Sequence, residues 1–339
     1  MKKIGIGLIG AGWISSYHIK GYQSLADKVE VIGVADVNEK NCKKIAKESG
    51  TKYTFSNYKE LLKLAEVDAV DITTPTPFHA EMAIGAANSG KHVLCEKPFA
   101  LNVNECEQMI NAAKRNHILL MPGHNRVFFP PHLKASEFLA NGRIGEPKIM
   151  QSNFIEGIAL SDFLRTNWRG NKKTGGFTHF AISVALAYMA ERFMGKTNTV
   201  SAHVTNLIER KFDVETSAMI ILEFESGGLG TLTLSWESGF GDDTELIIGT
   251  KGTILINGVE WQSLRRPPLG IYTNEIKSWE FPNVAFDWDQ SFINMIKHFI
   301  GCIQNNKEPM VSAQDGRNAI AVVQAIYKSA REKRNVKVE

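Results

Sequence analysis

Residues 4–15, IGIGLIGAGWIS, decide the fold that we predict for this chain. Strand-forming residues fill positions 4–9, and Gly10 and Gly12 then turn the chain into a segment, residues 13–25, that can form a helix. Without a Cβ at either glycine the turn is unstrained, and a pyrophosphate can approach the backbone at the positive end of the helix. Ser15 stands where the dinucleotide fingerprint has a third glycine, and its small side chain still allows close packing of helix on strand.

An aspartate follows the second predicted strand. Residues 29–35, VEVIGVA, indicate a buried strand, and Asp36 comes directly after it. At that distance from the glycines a carboxylate accepts hydrogen bonds from the adenosine ribose and repels a ribose phosphate. Val37 follows, with no arginine beside it to pair with a phosphate, so NAD is favoured over NADP. The alternative role for Asp36 is to cap a helix over residues 38–48.

Length, charge and cysteine content limit the class of protein. With 339 residues, of which 43% are hydrophobic, the chain can bury two cores, so two domains are expected. A net charge of +3 favours neither nucleic acid nor an anionic membrane as a partner, and no apolar stretch is long enough to span a bilayer. The four cysteines are scattered, so we expect no metal and no disulfide framework. Reduced cysteines and the absence of a convincing signal-peptide cleavage site favour the cytoplasm.

Strands and helices alternate beyond Asp36, which predicts a doubly wound parallel sheet with its ligand at the carboxyl ends of the strands. The predicted strands are residues 69–72, 92–94 and 118–120, and the predicted helices end at residue 64 or cover residues 78–87 and 103–114. Two of the loops after strands carry polar side chains: residues 73–79, TTPTPFH, and the pair Glu96 and Lys97. A charged pair at the end of a buried strand is costly unless it meets a partner or a ligand.

From about residue 123 a helix and then a run of strands replace this alternation. The predicted strands are residues 148–156, 200–208, 217–224, 230–236, 245–248 and 253–256, separated by glycine-bearing turns. This spacing predicts an antiparallel sheet, and helices at residues 290–304 and 313–331 close the chain. Apolar and polar residues alternate along these strands, so one face of the sheet is apolar. We expect this face to be the contact of a homodimer or homotetramer. The alternative is a monomer whose sheet face is solvated.

Several motifs stand in order along the chain. They are GxGxxS and VAD, the pair TTPTPFH and GKHVLCEKP, then GHNR, WR followed by GG, and the closing residues 306–330. Together they resemble the glucose–fructose oxidoreductase, inositol dehydrogenase and rhizopine-catabolism (Gfo/Idh/MocA) family over nearly the whole chain. The resemblance implies an α/β chain with an NAD(P)-binding Rossmann domain at residues 1–122. A substrate-binding and oligomerisation domain with an open, mostly antiparallel sheet would follow at residues 123–339, its C-terminal helix able to pack back on the first.

The resemblance also implies an activity, the NAD(P)-dependent oxidation of a sugar, an inositol or a related polyol, and roles for residues. Lys97 would lie beside the nicotinamide and the substrate hydroxyl, Glu96 near the nicotinamide ribose, and Asn125 towards the nicotinamide end. The full predicted cofactor-binding set is Gly10, Gly12, Trp13, Ile14, Asp36, Thr74, Pro75, Thr76, His79, Glu96, Lys97, Asn125, Trp168 and Arg169. For His79, capping of the helix that runs to residue 87 is the alternative.

The chemistry of lysine agrees with the catalytic role implied for Lys97. An ammonium near an alcohol stabilises the alkoxide that forms as hydride leaves the carbon, and partial burial lets the amine exchange a proton. The alternative is a salt bridge with Glu96 or with a carboxylate on a helix.

The chain departs from the family at the expected general base. Family enzymes usually carry DxGxH on the helix after the paired glycines, which sets an aspartate and a histidine on one face. Here those positions hold Phe180 and Val184, and a one-residue slip brings His179 and Ser183 instead. His179 is therefore the candidate base, with Ser183 as its neighbour; a histidine bonded to backbone near a helix start is the alternative.

Three functions remain open at this point. The leading one is an NAD(P)-dependent dehydrogenase of sugar or inositol hydroxyls, in the cytoplasm and without a metal. The second is a glycosidase-type hydrolase or lyase that reduces and reoxidises bound NAD within one turnover. The third is a non-catalytic NAD-binding sensor, which the missing DxGxH motif favours.

Overall fold

A computed structural model describes residues 2–51, 53–157, 170–171, 173, 187–206, 214–239, 241–257 and 266–339. The chain divides into two compact units. The first combines Met1–Phe128 with Asp289–Arg317, and the second combines Phe129–Trp288 with Asn318–Glu339. The helices are α1 Ser15–Gln23, α2 Glu39–Ser49, α3 Tyr58–Leu62, α4 His79–Asn88, α5 Val103–Arg115, α6 Pro130–Ala140, α7 Ala187–Met194, α8 Trp288–Asn305 and α9 Ala313–Glu332.

The first unit contains a six-stranded parallel sheet. Its strands are β1 Ile4–Ile9, β2 Val29–Ala35, β3 Tyr53–Phe55, β4 Ala69–Ile72, β5 His92–Glu96 and β6 Leu120–Gly123. They lie in the order β3-β2-β1-β4-β5-β6, and every pair is parallel. This is the doubly wound order in which a dinucleotide binds outside the carboxyl ends of the strands. The predicted fold of the first unit is confirmed, with the addition of the short edge strand β3.

The apolar runs of the sequence explain why this sheet forms. In β1, for example, the neighbouring residues Leu8 and Ile9 point to opposite faces and are both buried, as expected for parallel strands covered by helices on both faces. Helix α1 begins at Ser15, two residues later than predicted, because Gly12, Trp13 and Ile14 complete the turn after β1. Ser15 is fully buried, which fits the requirement for a small residue at this position.

The second unit contains a nine-stranded sheet. Its strands are β7 Pro147–Ile155, β8 Thr197–Thr205, β9 Ser217–Phe224, β10 Leu229–Ser235, β11 Asp242–Gly249, β12 Gly252–Asn257, β13 Leu269–Thr273, β14 Trp279–Glu280 and β15 Val336–Lys337. They lie in the order β14-β13-β12-β11-β7-β10-β9-β8-β15. Only the pair β7 and β10 is parallel among the strand pairs of the described sheet, so the predicted mostly antiparallel sheet is confirmed.

The grouping of residues 289–317 differs from the predicted division at residue 122. The sequence places residues 123–339 in the second domain, with a C-terminal helix able to pack back on the first, and Asp289–Arg317 groups with the first unit. Contacts of α8 give the reason: the Phe292 ring lies 5.3 Å from the His18 ring of α1, and Asn125 donates to Ser291 at 3.2 Å. The apolar face of α8 therefore belongs to the core of the first unit. Within the described ranges, no helix has the length and apolar character to cross a membrane.

Candidate active site

The turn after β1 leaves open space beside its backbone. Gly10 has a φ of +101°, and a Cβ there would lie 2.8 Å from the Thr73 carbonyl carbon and the Thr74 nitrogen. At Gly12 a Cβ would meet nothing within 4 Å, so a side chain would fill the space that a phosphate needs. The Ser15 hydroxyl donates to the Gly12 carbonyl at 2.5 Å and holds the turn against α1. This turn fits a pyrophosphate.

Asp36 ties the end of β2 to the glycine turn. Its Oδ2 accepts from the Ala11 N–H at 2.6 Å, and its Oδ1 accepts from the Asn38 N–H at 2.7 Å. The cap of α2 is Asn38, whose side chain accepts from the Asn41 N–H, and not Asp36. Because each carboxylate oxygen accepts more than one hydrogen bond, Asp36 retains the capacity to bind ribose hydroxyls.

The loop after β4 places threonine hydroxyls next to this turn. Thr73 Oγ1 donates to the Gly10 carbonyl at 2.9 Å, and Thr74 Oγ1 donates to the Met82 sulfur at 3.6 Å. Thr76 is 1% exposed, and among the described residues its Oγ1 has no hydrogen-bond partner. A buried hydroxyl without a partner costs about 1–3 kcal/mol, so this loop suits a polar ligand.

His79 lies between two loops, and its role in cofactor binding stays a prediction. The ring is 1% exposed, with Nδ1 at 2.8 Å from the Pro98 carbonyl and Nε2 at 2.8 Å from the Thr74 carbonyl. Burial lowers its pKa, and the two carbonyls oppose that shift only in part. The ring therefore lies between the loop after β4 and the loop after β5, and in its neutral form its single N–H donates to one of the two carbonyls. Nor does the ring cap α4, which has no side-chain cap hydrogen bond.

Glu96 and Lys97 form the end of β5. Glu96 is 4% exposed, Lys97 is half-buried, and the Lys97 N–H donates to Glu96 Oε2 at 3.1 Å. Burial raises the pKa of Glu96, but the hydrogen bond from His18 and the charge of Lys97 outweigh it and hold this pKa below the usual glutamate value. The structure therefore keeps a buried carboxylate ionised beside Lys97.

Sequence analysis missed the partner that makes this possible. His18 of α1 places Nε2 at 3.1 Å from Glu96 Oε1 and Nδ1 at 2.7 Å from Asp71 Oδ2. Tyr22 donates its hydroxyl to the same Asp71 oxygen at 2.9 Å. A charged residue within the apolar strand AVDI was the available signal, because a buried aspartate requires a donor.

The remaining predicted residues divide into two groups. Trp13 is 65% exposed and Ile14 half-buried beside the glycine turn, and Asn125 is buried after β6 with its amide donating to Ser291. The others lie outside the described residues: Trp168, Arg169, His179 and Ser183. In the ranges that are described, no three His, Cys, Asp or Glu side chains form a group that could hold a metal ion.

Strand order lines these elements up along one edge of the sheet. Asp36 follows β2, the glycine turn follows β1, the threonine loop follows β4, and Glu96 and Lys97 end β5. The distance from β2 to β5 is three strand spacings, or about 14 Å. An extended dinucleotide bound on this edge has its ribose carboxylate at one end, its phosphate turn next, and a charged pair at the other end. The residues present fit NAD.

Comparison with known proteins decides the family. Residues 4–124 match the GFO_IDH_MocA family, described as an oxidoreductase family with an NAD-binding Rossmann fold, and residues 136–338 match its C-terminal α/β domain. The chain belongs to this family. Membership confirms the predicted resemblance, the two-part fold, the NAD cofactor and an oxidoreductase activity.

Relatives and solved structures extend the comparison. Myo-inositol 2-dehydrogenase of Thermotoga maritima is 28% identical over 98% of both chains. The NAD⁺-dependent scyllo-inositol 2-dehydrogenase of Bacillus subtilis is 27% identical over 91% of this chain and 88% of its own. A levoglucosan dehydrogenase in complex with NADH superposes with a TM-score of 0.91 over the whole of both chains, at 23% identity, which supports the fold.

Proposed function

We propose that this protein is an NAD-dependent dehydrogenase that moves a hydride between NAD and a secondary hydroxyl of a sugar, a sugar derivative or an inositol. The observation that carries the proposal is the position of Lys97. It lies on the same sheet edge as the glycine turn, two strands away from it, beside an ionised buried carboxylate. Relatives named for inositols, D-apiose and levoglucosan support this class of substrate.

The two ends of this sheet edge bind different parts of the cofactor and substrate. Gly12 and the start of α1 receive the pyrophosphate, and Asp36 accepts from the ribose hydroxyls. When bound, NAD supplies the hydride acceptor. Lys97 orients the substrate hydroxyl and stabilises the negative charge that grows on its oxygen as the carbon is oxidised. His179 is the proposed acceptor of the hydroxyl proton, on the sequence argument alone.

The second candidate is a sensor that binds NAD without turnover. It is favoured by one observation, the replacement of the usual aspartate and histidine of DxGxH by Phe180 and Val184. Such a protein would keep the Asp36 and glycine-turn site while lacking the proton acceptor that oxidation of an alcohol requires.

One assay separates these functions. The protein is incubated with NAD, and in parallel with NADP, and with myo-inositol, scyllo-inositol, levoglucosan or D-apiose while NADH absorbance is followed. A dehydrogenase gives a rise with at least one alcohol, and NAD serves better than NADP. Binding of NAD by calorimetry without any rise supports the sensor, and products without net absorbance change support a hydrolase or lyase. No binding of either coenzyme refutes all three.

We also propose that a second copy of this chain covers the open face of the nine-stranded sheet. Met219 and Ile221 of β9 are 67% and 52% exposed, with Leu229 of β10 and Ile149 of β7 exposed on neighbouring strands. These four side chains lie on one face of the sheet, and exposed apolar side chains grouped on one face mark an interaction surface. Light scattering is expected to show that the wild type is a dimer or tetramer. The Ile221→Glu variant is expected to have a lower molecular mass in solution. A wild-type monomer would contradict the proposal.

A further inference from the structure

A buried row of polar side chains links helix α1 to the end of β5. It runs from Tyr22 through Asp71 and His18 to Glu96, and ends at the backbone N–H of Lys97. Both His18 and Asp71 have no exposed surface, and Glu96 is 4% exposed. Ionisable groups are placed this deep in a core only when each has a charged or hydrogen-bonding partner.

The local structure explains how these groups meet. In the ladder between β4 and β5, Asp71 pairs with Leu94, and Glu96 lies two residues beyond Leu94. Because side chains alternate along a strand, Asp71 and Glu96 project from the same face of the sheet. Helix α1 covers that face, and its residues 18 and 22 are four apart and therefore on one side of the helix. The fold thus brings two carboxylates under one imidazole.

The two short distances favour a doubly protonated His18 ring. A neutral imidazole has one N–H, so at one ring nitrogen it would turn a lone pair towards a carboxylate oxygen. An imidazolium donates at both nitrogens, to Asp71 at 2.7 Å and to Glu96 at 3.1 Å. Burial lowers the pKa of His18, but the charges and hydrogen bonds of Asp71 and Glu96 more than reverse this and raise it to about 10. The Glu96 carboxylate, whose pKa is held below its usual value, then remains ionised.

We propose that His18 is a positioning residue: an imidazolium at neutral pH that ties Asp71 to Glu96 and fixes the Glu96 carboxylate against the Lys97 backbone. Through this link α1, which also receives the pyrophosphate, holds the end of β5 in register with the cofactor. The imidazolium supplies a counter-charge to Glu96, so that the carboxylate does not depend on the Lys97 ammonium alone. The consequence for turnover rests on the function proposed above, whereas the charge state of His18 does not.

The charge state is tested on the wild-type protein without any substrate. Selectively ¹⁵N-labelled histidine is followed by long-range ¹H–¹⁵N correlation from pH 6 to 9, with and without NAD, and the His18 signals are identified by their loss in His18→Gln. Both ring nitrogens are expected to stay protonated throughout. A neutral tautomer of His18 at pH 7.5 would overturn the proposal whether or not the protein is a dehydrogenase.

The positioning role is tested by kinetics with the alcohol that the wild type oxidises best among myo-inositol, scyllo-inositol, levoglucosan and D-apiose. His18→Gln is expected to lower kcat about 10- to 100-fold through misplacement of the β5 end, while the dissociation constant for NAD, measured by calorimetry, changes less than about threefold. The matched control is His92→Gln, at the opposite end of β5, where the Leu119 N–H donates to the ring. An unchanged kcat in folded His18→Gln, or an equal loss in both variants, would refute the role. If no alcohol is oxidised by the wild type, the function proposed above fails, and the resonance experiment still decides the charge.

Discussion

Replacing His18 and Glu96 together by glutamine is expected to change how the stability of the protein depends on pH. Glutamine keeps hydrogen-bonding groups at both positions but removes the imidazolium and one of the two carboxylates that accept from it. Asp71 keeps the Tyr22 hydroxyl as a donor. The double substitution is preferable to His18→Gln alone, because a lone histidine change would leave the buried Glu96 carboxylate without its cationic partner on α1.

The sign and size of the effect come from the pKa of His18. This pKa rises from 6.5 in the unfolded chain to about 10 in the native state. A raised pKa means that the native state binds the proton more tightly, so its contribution to stability is complete below pH 6.5 and is lost as pH rises through 10. From pH 6.5 to 8.5 the loss is about 2 kcal/mol, at about 1.36 kcal/mol per unit. This loss of about 2 kcal/mol depends little on the native pKa of His18, because any native pKa above about 9 gives nearly the same change of stability between pH 6.5 and 8.5.

Other titratable groups near His18 do not produce a similar change of stability between pH 6.5 and 8.5. The titratable groups that face His18 are Tyr22 of α1, Asp71 of β4 and Glu96 of β5, and α8 contributes the apolar ring of Phe292. The pKa of Tyr22 is raised by burial well above 10, and that of Glu96 lies below its usual value, so neither titrates in the window. The buried thiols, whose pKa values burial also raises, are common to both proteins and cancel in the comparison.

The assay is urea unfolding followed by circular dichroism at half-unit steps between pH 6.5 and 8.5. The wild type is expected to lose about 2 kcal/mol relative to the double variant across this range. His92→Gln is the control: burial lowers the pKa of His92, so its contribution to stability is lost only as pH falls through 6.5, and its curve should parallel the wild type. Parallel curves for the wild type and the double variant would show that His18 is not an imidazolium in the native state.

Three further predictions concern the sheet edge. Gly12→Ala should change the free energy of unfolding by less than about 0.5 kcal/mol yet weaken NAD binding about tenfold, whereas Gly10→Ala should lower the free energy of unfolding by about 1–3 kcal/mol. Calorimetry measures the NAD affinity and urea unfolding the stability. Equal effects of the two substitutions on both quantities would refute the phosphate-binding role of the turn. Asp36→Ala should weaken NAD binding by about 1.5–3 kcal/mol and narrow its advantage over NADP; unchanged coenzyme affinities would remove the ribose role. Lys97→Ala should lower kcat about 10²- to 10⁴-fold with NAD still bound, and an unchanged kcat would exclude Lys97 from the chemistry.

The sequence predicted the first sheet well because its signals are local. The apolar runs and glycine turn fix β1, β2 and their helices within a few residues. Strand β3, Tyr53–Phe55, escaped prediction because its three residues are exposed or half-buried and pair only along one edge. The parallel pair of β7 and β10 was equally out of reach, since alternation of apolar residues is the same whichever way a neighbour runs.

The candidate site shows where local signals end. Asp36, Gly12 and Lys97 follow strands in the sequence, so topology alone assigns them to one edge. The link from His18 to Asp71 spans 53 residues, and no periodicity in either segment indicates it. For His79, the sequence could place the ring in the loop but not show that a carbonyl of the protein would lie at each of its nitrogens.

The position of His18 makes electrostatic sense only together with its two carboxylates. It is the fourth residue of α1, and a cation in the first turn of a helix is disfavoured by the helix dipole, which instead favours the anionic pyrophosphate there. That penalty is at most about 2 kcal/mol, whereas leaving even one buried carboxylate without a partner costs several. The carboxylates therefore decide the charge of His18. One short helix then faces negative charge on two sides: phosphate at its N-terminus, and Asp71 and Glu96 across an imidazolium on its buried face. Helix α1 thus contacts the cofactor phosphate at its N-terminus and Glu96 through His18. The place where the cofactor binds and the end of β5 that carries Lys97 are therefore fixed relative to each other.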